Sequence, residues 1–159
     1  MKRVEPRRWG MLPLVALLVA AGCSLGYRAP TLTVGEVRLA SLGLTGGSLV
    51  VRLEVENPNR YALESRDLRY ALAFAEGGPD APAWKTVVEG RLDQVVRVPA
   101  GGVEPVEVTV PFETASLGAA LARLLRQGEL EYRFSGELLA GTPLGAKRIP
   151  FDQRGLFRP

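Results

Sequence analysis

From Thr31 onward the dominant repeat along the chain is two residues, the signature of strands with one buried and one wet face. In 48–57, Leu49, Val51, Leu53 and Val55 point one way, while Arg52, Glu54 and Glu56 share the other face with Val50. In 67–75, Leu68, Tyr70, Leu72 and Phe74 alternate with Arg69, Ala71 and Ala73. In 106–112, Val106, Val108, Val110 and Phe112 alternate with Glu107, Thr109 and Pro111. In 129–138, Leu130, Tyr132, Phe134, Gly136 and Leu138 alternate with Glu131, Arg133, Ser135 and Glu137. Weaker strand patterns occupy 36–44, 84–98 with a break near Asp93, and 147–151.

Turn chemistry separates these runs: Gly46-Gly47, Asn57-Pro58-Asn59, the Gly77–Asp80 stretch, Pro99–Gly102 and Gly141-Thr142-Pro143. One segment has the helical period. Over 115–127, Leu117, Leu121, Leu124 and Leu125 fall on one face, with Thr114 placed to cap the start and Gly128 to end it. About seven short antiparallel strands with one late helix predict an all-β, open two-sheet sandwich rather than a barrel.

The first 22 residues do not share this pattern. A basic stretch over 2–8 runs into mostly apolar residues from Met11 to Ala21, then Gly22 and Cys23. That is the layout of a secretory signal. Eleven helical residues span about 16 Å, roughly half a bilayer core, too short for a membrane span. Ala20-Ala21-Gly22-Cys23 resembles the bacterial lipoprotein signal, in which a diacylglycerol is linked to the cysteine before cleavage on its amino side. The competing reading is an ordinary secretory signal with an incidental cysteine. A lone cysteine directly after small residues favours lipidation, because the thioether needs a thiol there. Ser24, in place of the aspartate that tends to retain such proteins in the inner membrane, implies by the same resemblance the periplasmic face of a Gram-negative outer membrane. The expected organisation is a signal over 1–22, a lipidated tether over 23–30 and a single sandwich over 31–159.

Composition sharpens this. There are 20 basic and 17 acidic residues, but residues 1–22 hold four basic and one acidic, so the remaining 16 and 16 cancel. A neutral body argues against capture of nucleic acid. The chain has no histidine and one cysteine, which removes the commonest general base and any thiolate metal cage within one chain. The glycines at 35, 43, 46 and 47 precede no Lys-Ser/Thr pair that could handle phosphate. Glu54 and Glu56 share a face with Arg52, which reads as a solvated ionic strip. Trp84 and Tyr27 could stack on a ligand, yet aromatics at strand starts are more often core. No catalytic residue, cofactor or metal site is expected, and the chain reads as a non-enzyme.

The motifs resemble a known family. Val51–Asn59 (VRLEVENPN) followed by Leu68-Arg69-Tyr70, then the 106–112 strand, 130–136, Gly141–Gly145 and Ile149-Pro150-Phe151 with Gly155 occur in the order of the late-embryogenesis-abundant group-2 family, also called the water-stress and hypersensitive-response (WHy) domain. The resemblance runs over roughly 32–157. It implies a fibronectin-III or immunoglobulin-like sandwich and an association with dehydration, cold and defence stress. Asn57, Pro58 and Asn59 then read as a structural corner: proline fixes φ, and asparagine tolerates left-handed geometry and bonds local backbone. A mean hydropathy of +0.07 separates the chain from the hydrophilic disordered proteins that share the family's name. The expected role is a non-catalytic, membrane-anchored envelope lipoprotein for stress (desiccation) protection or binding of envelope components. Its expected partners are the bilayer, through acylated Cys23, and envelope proteins. The alternative is an adaptor for an envelope transport or assembly complex that docks by strand addition.

Overall fold

The computed structural model describes residues 26–76 and 83–159. The signal, Cys23 and the Gly77–Asp80 turn lie outside the described residues. Within them, eight strands follow one another: β1 (Thr31–Leu42), β2 (Gly46–Glu56), β3 (Leu63–Glu76), β4 (Ala83–Leu92), β5 (Val96–Val98), β6 (Val103–Glu113), β7 (Leu130–Thr142) and β8 (Gly145–Phe157). Two short helices, α1 (Thr114–Leu117) and α2 (Ala119–Gln127), lie between β6 and β7.

The strand pairings are antiparallel throughout the described residues. One sheet runs β1-β2-β6 and the other β4-β3-β7-β8, with β5 pairing the start of β3. The chain is an all-β sandwich, as the period-two pattern predicts. The alternating apolar residues of both sheets face each other and form the core. Phe134, Leu72, Leu53, Val51 and Val110 at its centre are 1% exposed or less. Arg52, Glu54 and Glu56 lie exposed on the outer face. The break near Asp93 is real, since residues 93–95 separate β4 from β5 while β3 pairs with both.

Three strand glycines sit opposite aromatic rings. Gly90 faces Tyr70, Gly136 faces Phe151 and Gly155 faces Tyr132 in the cross-strand registers. In each case the ring occupies the space that a Cβ would need, and at Gly136 the Arg69 carbonyl crowds it as well. Tyr70, Phe134 and Phe151 continue as a row, with ring centroids 5.6 Å apart at each step. The glycines thus make room for aromatic packing across the sheet.

The strands at the chain ends outrun the expectation. β1 begins five residues before Glu36, and β8 continues through Asp152, Gln153 and Arg154 to Phe157. The larger correction concerns the helix, which is broken in two. Gly118 at φ +49° separates α1 from α2. Thr114 does not cap it. Glu113 holds the N-cap position with no side-chain bond, Thr114 donates its backbone N–H to the Thr45 carbonyl at 3.0 Å, and its hydroxyl has no hydrogen-bond partner among the described residues. The first turn is tied to the end of the β1–β2 connection instead. Gly128 does end α2, in the left-handed region at φ +72°, with its N–H on the Leu124 carbonyl at 2.8 Å.

The four leucines expected on one helical face are buried to different depths. Leu117 is 8% exposed, Leu121 and Leu124 are half-buried against the core, and Leu125 is 79% exposed. Truncation should follow that order. Leu117→Ala should cost about 2–5 kcal/mol, and Leu125→Ala should stay within about 0.5 kcal/mol, with Leu121→Ala between them. Denaturant titrations of the three variants check the ranking.

Candidate functional site

Two ends of the sandwich stand out, and they are opposite ends. At one, β1 and β3 begin and β2 ends; at the other, β1 and β3 end and β2 begins. With about 3.3 Å per residue, the twelve residues of β1 set the two ends roughly 36 Å apart.

The first end holds Asn57, Pro58 and Asn59, with both asparagine side chains buried at 0% and 3% exposure. An amide group can donate twice and accept twice, and here nearly every capacity is used. Asn57 Nδ2 donates to the Tyr61 carbonyl at 2.8 Å and the Pro99 carbonyl at 3.0 Å. Asn57 Oδ1 accepts from Asn59 N and from Asn59 Nδ2, both at 3.0 Å. Asn59 Nδ2 also donates to the Arg28 carbonyl at 2.7 Å, and Asn59 Oδ1 accepts from the Arg28 N–H at 2.7 Å. Main-chain bonds complete the knot: Asn57 N to the Gly102 carbonyl and Gly101 N to the Asn59 carbonyl, each at 2.9 Å. The triplet is a structural corner, as its residue types predict, but not through left-handed backbone. Among the described residues only glycines have positive φ. The asparagines are needed for their amides, which join the corner, the 98–102 turn and the segment that leads into β1.

The second end holds an apolar cavity of about 310 Å³ between the sheets and under α2. Its wall takes Leu39 and Leu42 from β1, Phe74 from β3, Phe112 from β6, Leu121 and Leu124 from α2, and further leucines and Phe157 around them. Leu42 is 63% exposed and Leu125 79%, so the apolar lining continues out to the surface. Reasoning along the sequence misses this site because it is assembled from eight separate elements. The one signal in the sequence is the leucine stripe of 117–125.

The charged residues described do not converge on a reaction centre. Asp67 lies 2.9 Å from Arg91, which also meets Asp93 at 2.6 Å. Arg133 binds Asp152 through its Nε at 2.8 Å and through its Nη2. Trp84, a candidate stacking residue, is covered by the Arg154 guanidinium at 5.3 Å. Tyr27 is half-buried, and Glu54 and Glu56 stay on the exposed strip. Among the described residues no three acidic, cysteine or histidine side chains cluster as a metal site would require. No helix among them is long and apolar enough to cross a membrane.

The family model for late embryogenesis abundant protein, LEA_2, matches residues 52–155. The chain belongs to the LEA_2 family. Membership suggests a stress-related, non-enzymatic role. A solution structure from Arabidopsis thaliana is similar to the LEA_2 chain with a TM-score of 0.65 and 15% identity, covering 84% of each. A crystal structure from Archaeoglobus fulgidus reaches a TM-score of 0.52 at 11% identity, covering 83% of this chain and 96% of that one. At these identities the likeness is one of fold. No curated protein matches the sequence.

The corner can be tested by one isosteric change. Asn57→Asp keeps the shape but removes both side-chain donors and buries a carboxylate. It should destabilise the sandwich by on the order of 3 kcal/mol, because two carbonyls and a charge are left buried without partners. Gln94 lies exposed between β4 and β5. Gln94→Glu, the same amide-to-acid change at the surface, should stay within about 0.5 kcal/mol. Denaturant titrations of the two variants side by side check the contrast.

The ionisable groups set a pH range. The Asp152 carboxyl is held below its ordinary value, first by the Arg133 hydrogen bond, against burial, and then by the charges of Arg133 and Arg154. Burial pushes the Tyr70 and Tyr132 hydroxyls up, and burial together with the neighbouring Tyr61 does the same for Tyr27. A depressed acid stabilises the fold above its unfolded value and loses that contribution as pH falls. A raised tyrosine stabilises below about pH 10 and loses its contribution as pH rises. Both shifts point away from neutrality. The melting midpoint should therefore be flat from about pH 5.5 to 8 and fall below about 4 and above about 10. Thermal scans across that range check it.

Proposed function

We propose that the chain is a non-catalytic lipoprotein of the cell envelope, with a WHy-type LEA_2 domain held to a bilayer through acylated Cys23. It acts in stress protection, desiccation above all, by binding envelope components, and it sits on the periplasmic face of the outer membrane. The observation that carries the reading is the paired bond between Asn59 and the Arg28 backbone. It fixes where the tether leaves the sandwich, five residues after Cys23. A domain hung from a membrane needs such a fixed exit, and this one leaves the far end of the sandwich turned away from the anchor. The adaptor reading gains less support. Pro105 and Pro111 lie on the edge strand β6, and β1 at another edge is bulged, both of which hinder strand addition.

Membrane flotation of the full chain tests the anchor. The native chain should float at its processed size, and Cys23→Ser should appear uncleaved or unattached, because a hydroxyl does not form the thioether. A Cys23→Ser chain that floats at the processed size overturns the reading.

A further inference from the structure

The cavity under α2 goes beyond anchoring. We propose that it binds one unbranched acyl chain, that of a medium-chain fatty acid, with the carboxylate left in water at the mouth. Every side chain of the wall is apolar, eight of them leucine and three phenylalanine. Whatever is buried there must therefore be hydrocarbon, since nothing inside could satisfy a polar group. The volume sets its size. A cavity of about 150 Å³ takes benzene, with six carbons, so one of twice that volume takes a chain of roughly a dozen carbons.

The mouth agrees with a ligand of this kind. Leu42 on β1 and Leu125 on α2 carry the apolar wall into solvent, where they meet the alkyl segment next to a headgroup. The lid is short and jointed. The nine residues of α2 follow Gly118 at φ +49° and end at Gly128, and a helix of that length holds its place by its apolar face. A filled cavity gives that face a full set of contacts.

The fatty acid comes from outside the chain. The Asn59 clamp holds Arg28 at the other end of the sandwich, roughly 36 Å along β1. The five residues from Cys23 to Arg28 span at most about 18 Å, so any lipid on Cys23 starts at the wrong end. The inference extends the proposed binding role and does not depend on the anchor.

The test adds carbon-13-labelled dodecanoic acid to the full chain reconstituted in phosphatidylcholine nanodiscs, with empty nanodiscs as background. The expected result is saturable binding of a single equivalent per chain. Leu121→Trp fills the cavity and should weaken binding about tenfold or more at an unchanged melting midpoint. Should that variant fail to fold, Leu42→Glu decides: it lies at the exposed mouth, leaves the core alone, and should weaken binding by a similar factor. Binding that is unsaturable, or equal in the native, Leu121→Trp and Leu42→Glu chains, overturns the proposal. So does binding that appears only in Cys23→Ser, which would make the chain's own lipid the occupant. A dimer that Leu42→Glu dissolves, with no fatty acid bound, overturns it in favour of a second copy. Failure of flotation with saturable binding intact would remove the anchor and leave the cavity's role standing.

Discussion

The sandwich depends on how its two sheets are joined at the corner between β2 and β3. There the chain leaves one sheet for the other, and its main-chain groups must find partners away from both ladders. Asn57 and Asn59 supply them. An amide is the side chain that can donate and accept from one planar group, so a pair of them can link three separate segments without burying a charge. Apolar burial drives the sheets together, but it does not fix their offset along the strands. The amide knot does, because its bonds reach the entry to β1, the corner itself and the 98–102 turn at once.

The two ends of the sandwich are consequently closed by different physics. One end is closed by directional hydrogen bonds, short and nearly saturated. The other is closed by a broken helix whose leucines reach only part of the way into the gap. Gly118 is central to the difference. A continuous helix from Thr114 would have kept Leu117 and Leu121 on one straight line; the break lets Leu117 drop into the core while α2 lies across the opening.

Much of the fold was legible because a half-buried strand writes its geometry directly into alternate residues. β2, β6 and β7 show it plainly, and so do the β4–β5 break at Asp93 and the Gly128 stop. The start of β1 and the end of β8 were not legible. Thr, Gly, Gln and Arg interrupt the apolar alternation there, and the pairing that makes these segments strands comes from neighbouring strands rather than from their own residues. Thr114 looked like a cap because a cap is a local pattern, yet the Thr45 carbonyl had taken the backbone donor that begins the turn. At the candidate sites, the Asn-Pro-Asn corner was visible by residue type while the reason for its amides was not. The cavity was invisible, since no stretch of chain contains it.

The aromatic rings laid over Gly90, Gly136 and Gly155 have a consequence for how the domain can change over time. Each ring and its glycine form one unit shared by two strands, so neither partner can drift alone. A side chain at the glycine meets the ring, and a smaller residue in place of the ring leaves a hole above a bare backbone. Variation in that sheet must therefore arrive in matched pairs or stay on the outer face. In distant members of the fold, the glycines and the aromatics should be gained and lost together, leaving a paired imprint that outlasts overall similarity of sequence.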